Sequence, residues 1–262
     1  MTSTAIGKGL RTLDLLASEA GGVGVADVAS RLGISKPAAG RVLDALVAAG
    51  YARVDASTQR HVLTMKATRL GLSYFSRSGI TAGCQPILDR LSEATGELVR
   101  MAVVDGDRLI WFGLAQGART GLRIAPDTGR EVTLHVTAAG KAWLATLPLE
   151  RAVKLVLDRG FGEADQFGPQ AIRSVEGLIA ALKATARNGY AVSIDEYIPG
   201  MSALAVAIAA PGFKKGTLGT LSIACPTSRM TRPQHRRLQG LLEEAAAELS
   251  TLWPILAART AF

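Results

Sequence analysis

Three histidines, two cysteines and the adjacent carboxylates Asp195 and Glu196 are the residues of this chain that first suggest chemistry. His61, His135 and His235 lie far apart and share no metal-ligand spacing, and no HExxH, CxxC or GxSxG phrase occurs. Cys84 and Cys225 have no second cysteine or histidine nearby and read as buried thiols of a reducing compartment. Asp195 and Glu196 fall on a predicted strand, 190–196, where neighbouring side chains point to opposite faces and are poorly placed to share one substrate. Lys214 and Lys215 lie in a glycine-flanked basic loop that lacks the pattern of a phosphate cradle. His135 has no nucleophile near it in sequence. These residues give no catalytic set, no metal site and no cofactor site, and the chain is not expected to be an enzyme.

The remaining chemistry is that of binding. The chain carries a formal charge of +8 over 262 residues. Residues 1–80 hold ten Lys or Arg against five Asp or Glu, a net of +5, and residues 81–262 hold only +3. A positive surplus on a small domain suits a phosphate-facing surface. Within it, residues 25–63 read as a short helix, a glycine turn at Gly33, a second helix over 35–49 and a two-stranded ribbon. Ser35 is the predicted N-cap and Pro37 falls in the first turn. Ala39, Val42, Leu43 and Leu46 recur at i, i+3, i+4 and i+7 and form the inner face, which leaves Lys36, Gly40, Arg41 and Asp44 outside. This is the pattern of a winged helix-turn-helix, with 35–49 entering the major groove. Arg41 is the expected base contact, Ser35, Lys36 and Gly40 flank it, Arg53 and Arg60 on the wing are expected at phosphates, and Lys8 and Arg11 on the first helix suit a phosphate contact as well as simple solvation. A winged module that docks on protein would have no need of the charge.

The elements that position these residues run in order. A first helix over 7–19 is expected to turn Leu10, Leu13, Leu16 and Ala17 inward, and 64–78 reads as a linker helix with Leu70, Leu72, Tyr74 and Phe75. A helix over 85–95 follows, with Pro86 in its first turn. Asp105-Gly106-Asp107 joins two strands as a hairpin, 122–124 is a short strand, and helices are predicted over 138–146, 148–159 and 174–188. Strands at 190–196, 202–209 and 219–225 lead to the longest helix, opened by the capping box Thr231-Arg232-Pro233-Gln234. The expected architecture is α+β, with a DNA-binding domain over 1–63, a linker over 64–79 that either packs on that domain or pairs with its copy in a dimer, and a mixed sheet of five or six strands with flanking helices over 80–262. The opening residues are polar and glycine-rich, and the longest apolar run, 203–210, falls far below the roughly 20 residues a membrane span needs. A cytoplasmic protein with no membrane partner is expected.

The phrases VADVASRLGISKPAAGRVLDALVAAGY (25–51), LHVTAAGKAWLATLP (134–148), NGYAVSIDEYIPGMSALAVAI (188–208) and LGTLSIACP (218–226), in this order, resemble the IclR family of bacterial transcriptional regulators. The resemblance spans nearly the whole chain. It implies a winged DNA-binding domain, a dimerising linker helix, and a GAF-like sensor domain for a small metabolite, often an organic or aromatic acid. It also implies an operator as partner, more often for repression, and homodimers that pair into dimers of dimers. Arg41 matches the family's recognition-helix arginine, whereas Ala38 and Gly40 replace the polar residues usually before it. In the sensor domain the resemblance places the ligand against the backbone amides of Ala138 and Ala139, with Ser193 where an acidic residue is usual, Ala203 where a cysteine is usual, and Ser222 and Ala224 where two serines are usual. Leu122, Met201 and Trp111 are the expected apolar walls. Losing three polar partners argues for a less polar pocket and a ligand with an apolar body. A C-terminal domain that serves only assembly or protein interaction is the alternative.

Overall fold

The computed structural model describes residues 4–78, 80–117, 128–163, 165–210 and 216–258. The chain forms two compact units, residues 1–77 and 78–262, each with its own core.

In the first unit, α1 (Ala5–Ser18) is capped by Thr4, whose hydroxyl accepts from the Gly7 amide at 3.1 Å. Its buried residues are Thr12 and Leu16, with Leu13 and Leu15 partly covered. Leu10, expected inside, is 58% exposed, and Ala17 is exposed as well. The inner face is rotated because Thr12 can occupy a core position: its hydroxyl donates to the Lys8 carbonyl at 2.8 Å and needs no water. The next helix, α2 (Val25–Leu32), ends at Gly33, whose φ of 65° is the left-handed geometry glycine permits. Then α3 (Lys36–Ala48) starts at Ser35, whose Oγ accepts from the Ala38 amide at 3.4 Å, and it buries Ala39, Leu43 and Leu46. Two short strands, β1 (Ala52–Val54) and β2 (His61–Leu63), pair antiparallel as the wing. The Asp55 carboxylate holds their turn by accepting from the amides and hydroxyls of Ser57 and Thr58, and these bonds keep its pKa far below the usual range. Val23 adds a third rung through two backbone bonds with His61, a pairing not foreseen from sequence. Finally α4 (Met65–Ser78) is fastened by Lys66, which donates to the Ala49 carbonyl at 2.7 Å and lies over the Tyr51 ring. Met65, Leu70 and Leu72 on this helix are exposed.

The second unit opens with α5 (Ile80–Thr95), which starts earlier than expected, so Pro86 lies inside the helix and not in its first turn. The hairpin β3 (Leu98–Asp105) and β4 (Arg108–Gln116) follows. After it come α6 (Ala138–Leu144), α7 (Leu149–Leu157) and α8 (Val175–Asn188), then β5 (Ala191–Ile194), β6 (Met201–Ala209), β7 (Thr217–Pro226) and α9 (Arg232–Ala258). The sheet order is β4-β3-β7-β6-β5, and every described pairing is antiparallel. The expected mixed sheet is therefore corrected. Three of its four pairings join strands consecutive in the chain, β3–β4, β5–β6 and β6–β7, and such neighbours return antiparallel. The apolar runs of β6 and β7 reflect cover on both faces, not parallel pairing. One face, with Val99, Met101, Leu204, Val206, Leu221 and Ile223, packs with residues of α5 and α9. The opposite face carries Arg100, Ala102, Ala205 and Ser222, and α6 packs across β5, β6 and β7. The predicted strand 122–124 lies outside the described residues. Cys84 and Cys225 are buried free thiols, and burial pushes both up to about 11.

Candidate DNA-reading and effector-binding sites

On the first unit, Ser35, Lys36 and Arg41 are exposed and Gly40 is half-buried on α3. Arg41 and Lys8 border one groove between α1 and α3, floored by Ala38, Val42 and Ala45. Arg11 and Arg53 are exposed, with Arg53 3.6 Å from Asp55. Arg60 differs from the other basic residues, because its guanidinium pairs with Asp27 at 2.6 Å and donates through Nε to the Gly22 carbonyl at 2.9 Å. Asp27 also accepts from the Gly24 amide, and that bond, ahead of Arg60, lowers its pKa. Arg60 thus clamps the wing to the start of α2, and its expected place at a phosphate competes with this clamp. The two wing arginines should separate in experiment. Arg53→Ala should reduce the slope of log K against log salt by about one. Arg60→Ala should leave that slope and instead cost roughly 0.5–1 kcal/mol of stability, as an exposed pair with one further bond does. Salt titrations of DNA affinity and urea melts of the same variants check both.

On the second unit, one face of the sheet and α6 line a partly open cavity of about 30 Å³. Trp111, Ala138, Ala139, Ser193, Met201, Ala203, Ser222 and Ala224 all line it, although they come from four strands and a helix. Leu122 lies outside the described residues. The strand register explains the convergence. Ala203 pairs with Ser193 on one side and Ala224 on the other, and Ser222 pairs with Arg100, so residues two apart on neighbouring strands share the face.

Sequence reasoning missed Arg100, Thr137, Tyr197, Ile198 and Ser202, which also line the cavity. Arg100 changes its chemistry. It is 6% exposed, and its guanidinium carbon sits 4.0 Å from the centre of the Trp111 ring, a stacked cation–π contact. The signal was present, since a lone arginine interrupts the apolar run Leu98–Asp105. The expectation of a purely less polar pocket is therefore revised: the polar positions of the family are reduced, but a buried cation stands in the wall. The serines add little hydrogen-bond donation. Ser193 donates to the Val136 carbonyl at 2.7 Å, and Ser222 donates to the Arg100 carbonyl at 3.2 Å. Thr137 caps α6 by accepting from the Gly140 amide at 3.0 Å, so Ala138 and Ala139 supply the first two helix amides. With seven residues, α6 has only a weak dipole. Gly140 is required there, because a Cβ would sit 2.3 Å from the Leu134 carbonyl oxygen.

Behind the cavity wall, Lys141 of α6 and Glu196 form a buried ion pair at 2.5 Å. Burial pushes the ammonium down and the carboxyl up, and each partner's charge opposes the shift. Asp195 and Glu196 are not on a strand, since β5 ends at Ile194. Asp195 turns away instead, accepting from the Gly200 amide and the Thr227 hydroxyl. His135 is packed between Phe161 and Phe167, and its Nε2 lies 3.1 Å from the Phe161 carbonyl. Burial lowers its pKa first, against that backbone bond, and neighbouring Lys141 and Arg173 lower it further. Among the described residues no group of three His, Cys, Asp or Glu side chains could hold a metal ion, and no helix is long and apolar enough to cross a membrane.

Family models match both units: the IclR helix-turn-helix domain over residues 5–56 and the bacterial transcriptional regulator IclR C-terminal domain over residues 72–251. The HTH-type transcriptional regulator BhcR of Paracoccus denitrificans is 30% identical over 251 residues, covering 94% of this chain and 86% of that protein. The HTH-type transcriptional repressor AllR of Escherichia coli K12 is 25% identical over 247 residues, covering 94% of this chain and 89% of that protein. The crystal structure of the IclR transcriptional regulator from Alicyclobacillus acidocaldarius superposes with a TM-score of 0.80 at 26% identity, covering 96% of this chain and 99% of that one. A basic helix-turn-helix unit followed by a cavity-bearing α/β unit, matched over both parts, leads to one conclusion: the chain belongs to the IclR family of bacterial transcriptional regulators.

Proposed function

We propose that this DNA-binding regulator represses transcription from an operator read by α3, and that a small organic acid with an apolar body, held in the cavity of the second unit, changes its operator affinity. The observation that carries the acid is Arg100, a 6% exposed guanidinium in the wall of a partly open, largely apolar cavity. A carboxylate there makes charge-assisted bonds in a low-dielectric site, where they are strongest. Ala203 and Ala224 are the small side chains of the lining, so an apolar body enters there with the least displacement of the walls, and Met201 and Trp111 flank it. The similarity to AllR, named a repressor, supports the sign of regulation. The exposed Met65, Leu70 and Leu72 of α4 support a dimer in which two α3 helices read successive half-sites, and such dimers are taken to pair further. The side chain of Phe75 lies outside the described residues.

Cavity filling tests the sensor. Ala203→Leu should leave operator affinity without ligand and the oligomeric state unchanged. It should abolish a ligand effect that in the unmodified protein amounts to roughly 5- to 150-fold in operator affinity. The checks are gel shifts on the DNA upstream of the protein's own gene, with thermal shift against a panel of aromatic and aliphatic acids. A ligand whose binding and effect survive Ala203→Leu would place sensing elsewhere. A panel that shifts neither melting nor operator binding would favour a C-terminal unit that serves assembly alone.

A further inference from the structure

We infer that the buried Lys141–Glu196 pair is a positioning device for the effector cavity: it fixes the loop that supplies part of the lining by tying it to the helix that supplies another part. The inference rests on the cavity being the effector site. Residues 195–200 connect β5 to β6 and supply Tyr197 and Ile198 to the cavity. Lys141 lies two residues beyond Ala139, which with Ala138 also lines the cavity.

The loop's ends are held by backbone. The Asp195 amide donates to the Met201 carbonyl, the Thr227 amide donates to the Gly200 carbonyl, and the Gly168 amide donates to the Glu196 carbonyl. What carries the middle of the loop across to α6 is the Glu196 side chain, whose Oε1 meets the Lys141 ammonium. Lys141 is 3% exposed and Glu196 9%. Among the described residues the second carboxylate oxygen of Glu196 is buried without a close hydrogen-bond partner, and the Ile194 backbone also favours the carboxylate's charge. A buried pair of this kind adds little net stability compared with apolar side chains of similar volume, whereas its geometry is specific. Its effect is therefore expected in where Tyr197 and Ile198 sit, more than in how stable the unit is. An occupant that pushes Tyr197 or Ile198 outward must stretch the pair, which couples cavity occupancy to the loop.

The double variant Lys141→Met/Glu196→Leu separates position from stability. In the full-length protein its melting temperature should match that of the unmodified chain, while hydrogen exchange at the amides of residues 196–198 and 200 speeds up on the order of tenfold and exchange in β6 and β7 does not. Affinity for benzoate, used as the probe acid, should fall on the order of tenfold, because the wall is no longer pre-organised. Unmodified loop exchange in the double variant would overturn the proposal. If the unmodified protein does not bind benzoate, the small-acid reading of the cavity fails, and the exchange comparison still decides the pair. Should the double variant fold poorly, Lys141→Gln/Glu196→Gln takes its place, since it keeps the polar volume and leaves no buried charge unpaired. It should speed exchange in the same loop alone, and uniform acceleration across the sheet would count against a positioning role.

Discussion

Replacing Arg100 with methionine should remove acid sensing and leave DNA binding intact. Methionine keeps much of the apolar stem against Trp111 and deletes the guanidinium that stacks on its ring. Truncating one partner of a buried, hydrogen-bonded charge pair costs about 2–5 kcal/mol, so acid affinity should drop roughly 30- to 5,000-fold. Isothermal titration with benzoate and with its neutral amide, benzamide, measures the effect. The unmodified protein should prefer the acid, and Arg100→Met should lose that preference while its operator affinity without ligand stays the same. An Arg100→Met protein that still prefers the acid would show that the helix amides of Ala138 and Ala139, not the arginine, recognise the anion. Arg100→Lys should recover only part of the affinity, because an ammonium cannot form the two parallel bonds of a guanidinium.

The second large effect belongs to Arg41. It is exposed on α3 beside the groove it shares with Lys8, and neither Ala38 nor Gly40 offers a polar side chain near it. If Arg41 makes a bidentate contact with guanine, Arg41→Ala costs about 1–3 kcal/mol per half-site. A dimer engages two half-sites, so the total is about 2–6 kcal/mol, enough to bring specific binding close to the non-specific level. Competition between operator and random duplex at one fixed salt concentration gives the answer. Equal weakening on both would mean that Arg41 touches only phosphate. Because Ala38 and Gly40 contribute no side-chain hydrogen bonds, single base changes opposite Arg41 should matter more than changes at flanking positions.

The sequence by itself determined what depends on a few consecutive residues. Ser35 and Pro37 mark the start of α3, Gly33 and Gly189 stop helices in left-handed geometry, and Asp105-Gly106-Asp107 turns the hairpin. Caps, turns and periodicity act within one or two turns of chain, so they are legible without a fold. The small residues around the cavity were also within reach, because the family resemblance assigned them their positions one by one.

Tertiary structure decided the rest, mostly through contacts between residues distant in the chain. Residue pattern could not show that Thr12 rather than Leu10 faces the core of the first unit, since the hydroxyl's partner is its own helix's backbone. Nor could it show that Arg60 clamps Asp27, 33 residues away, when both look like solvated charges. Pairing direction in the second sheet, with β7 entered between β3 and β6, follows from packing and not from strand composition. Arg100 becomes part of the cavity wall because the β3–β4 and β3–β7 registers bring it against Trp111 and Ser222. Lys141 meets Glu196 across 55 residues because α6 lies on the same sheet face as the β5–β6 loop. A charged side chain reads alike in sequence whether water or a protein partner surrounds it, and only the fold, by removing the water, gives Arg100 and the Lys141–Glu196 pair their strength.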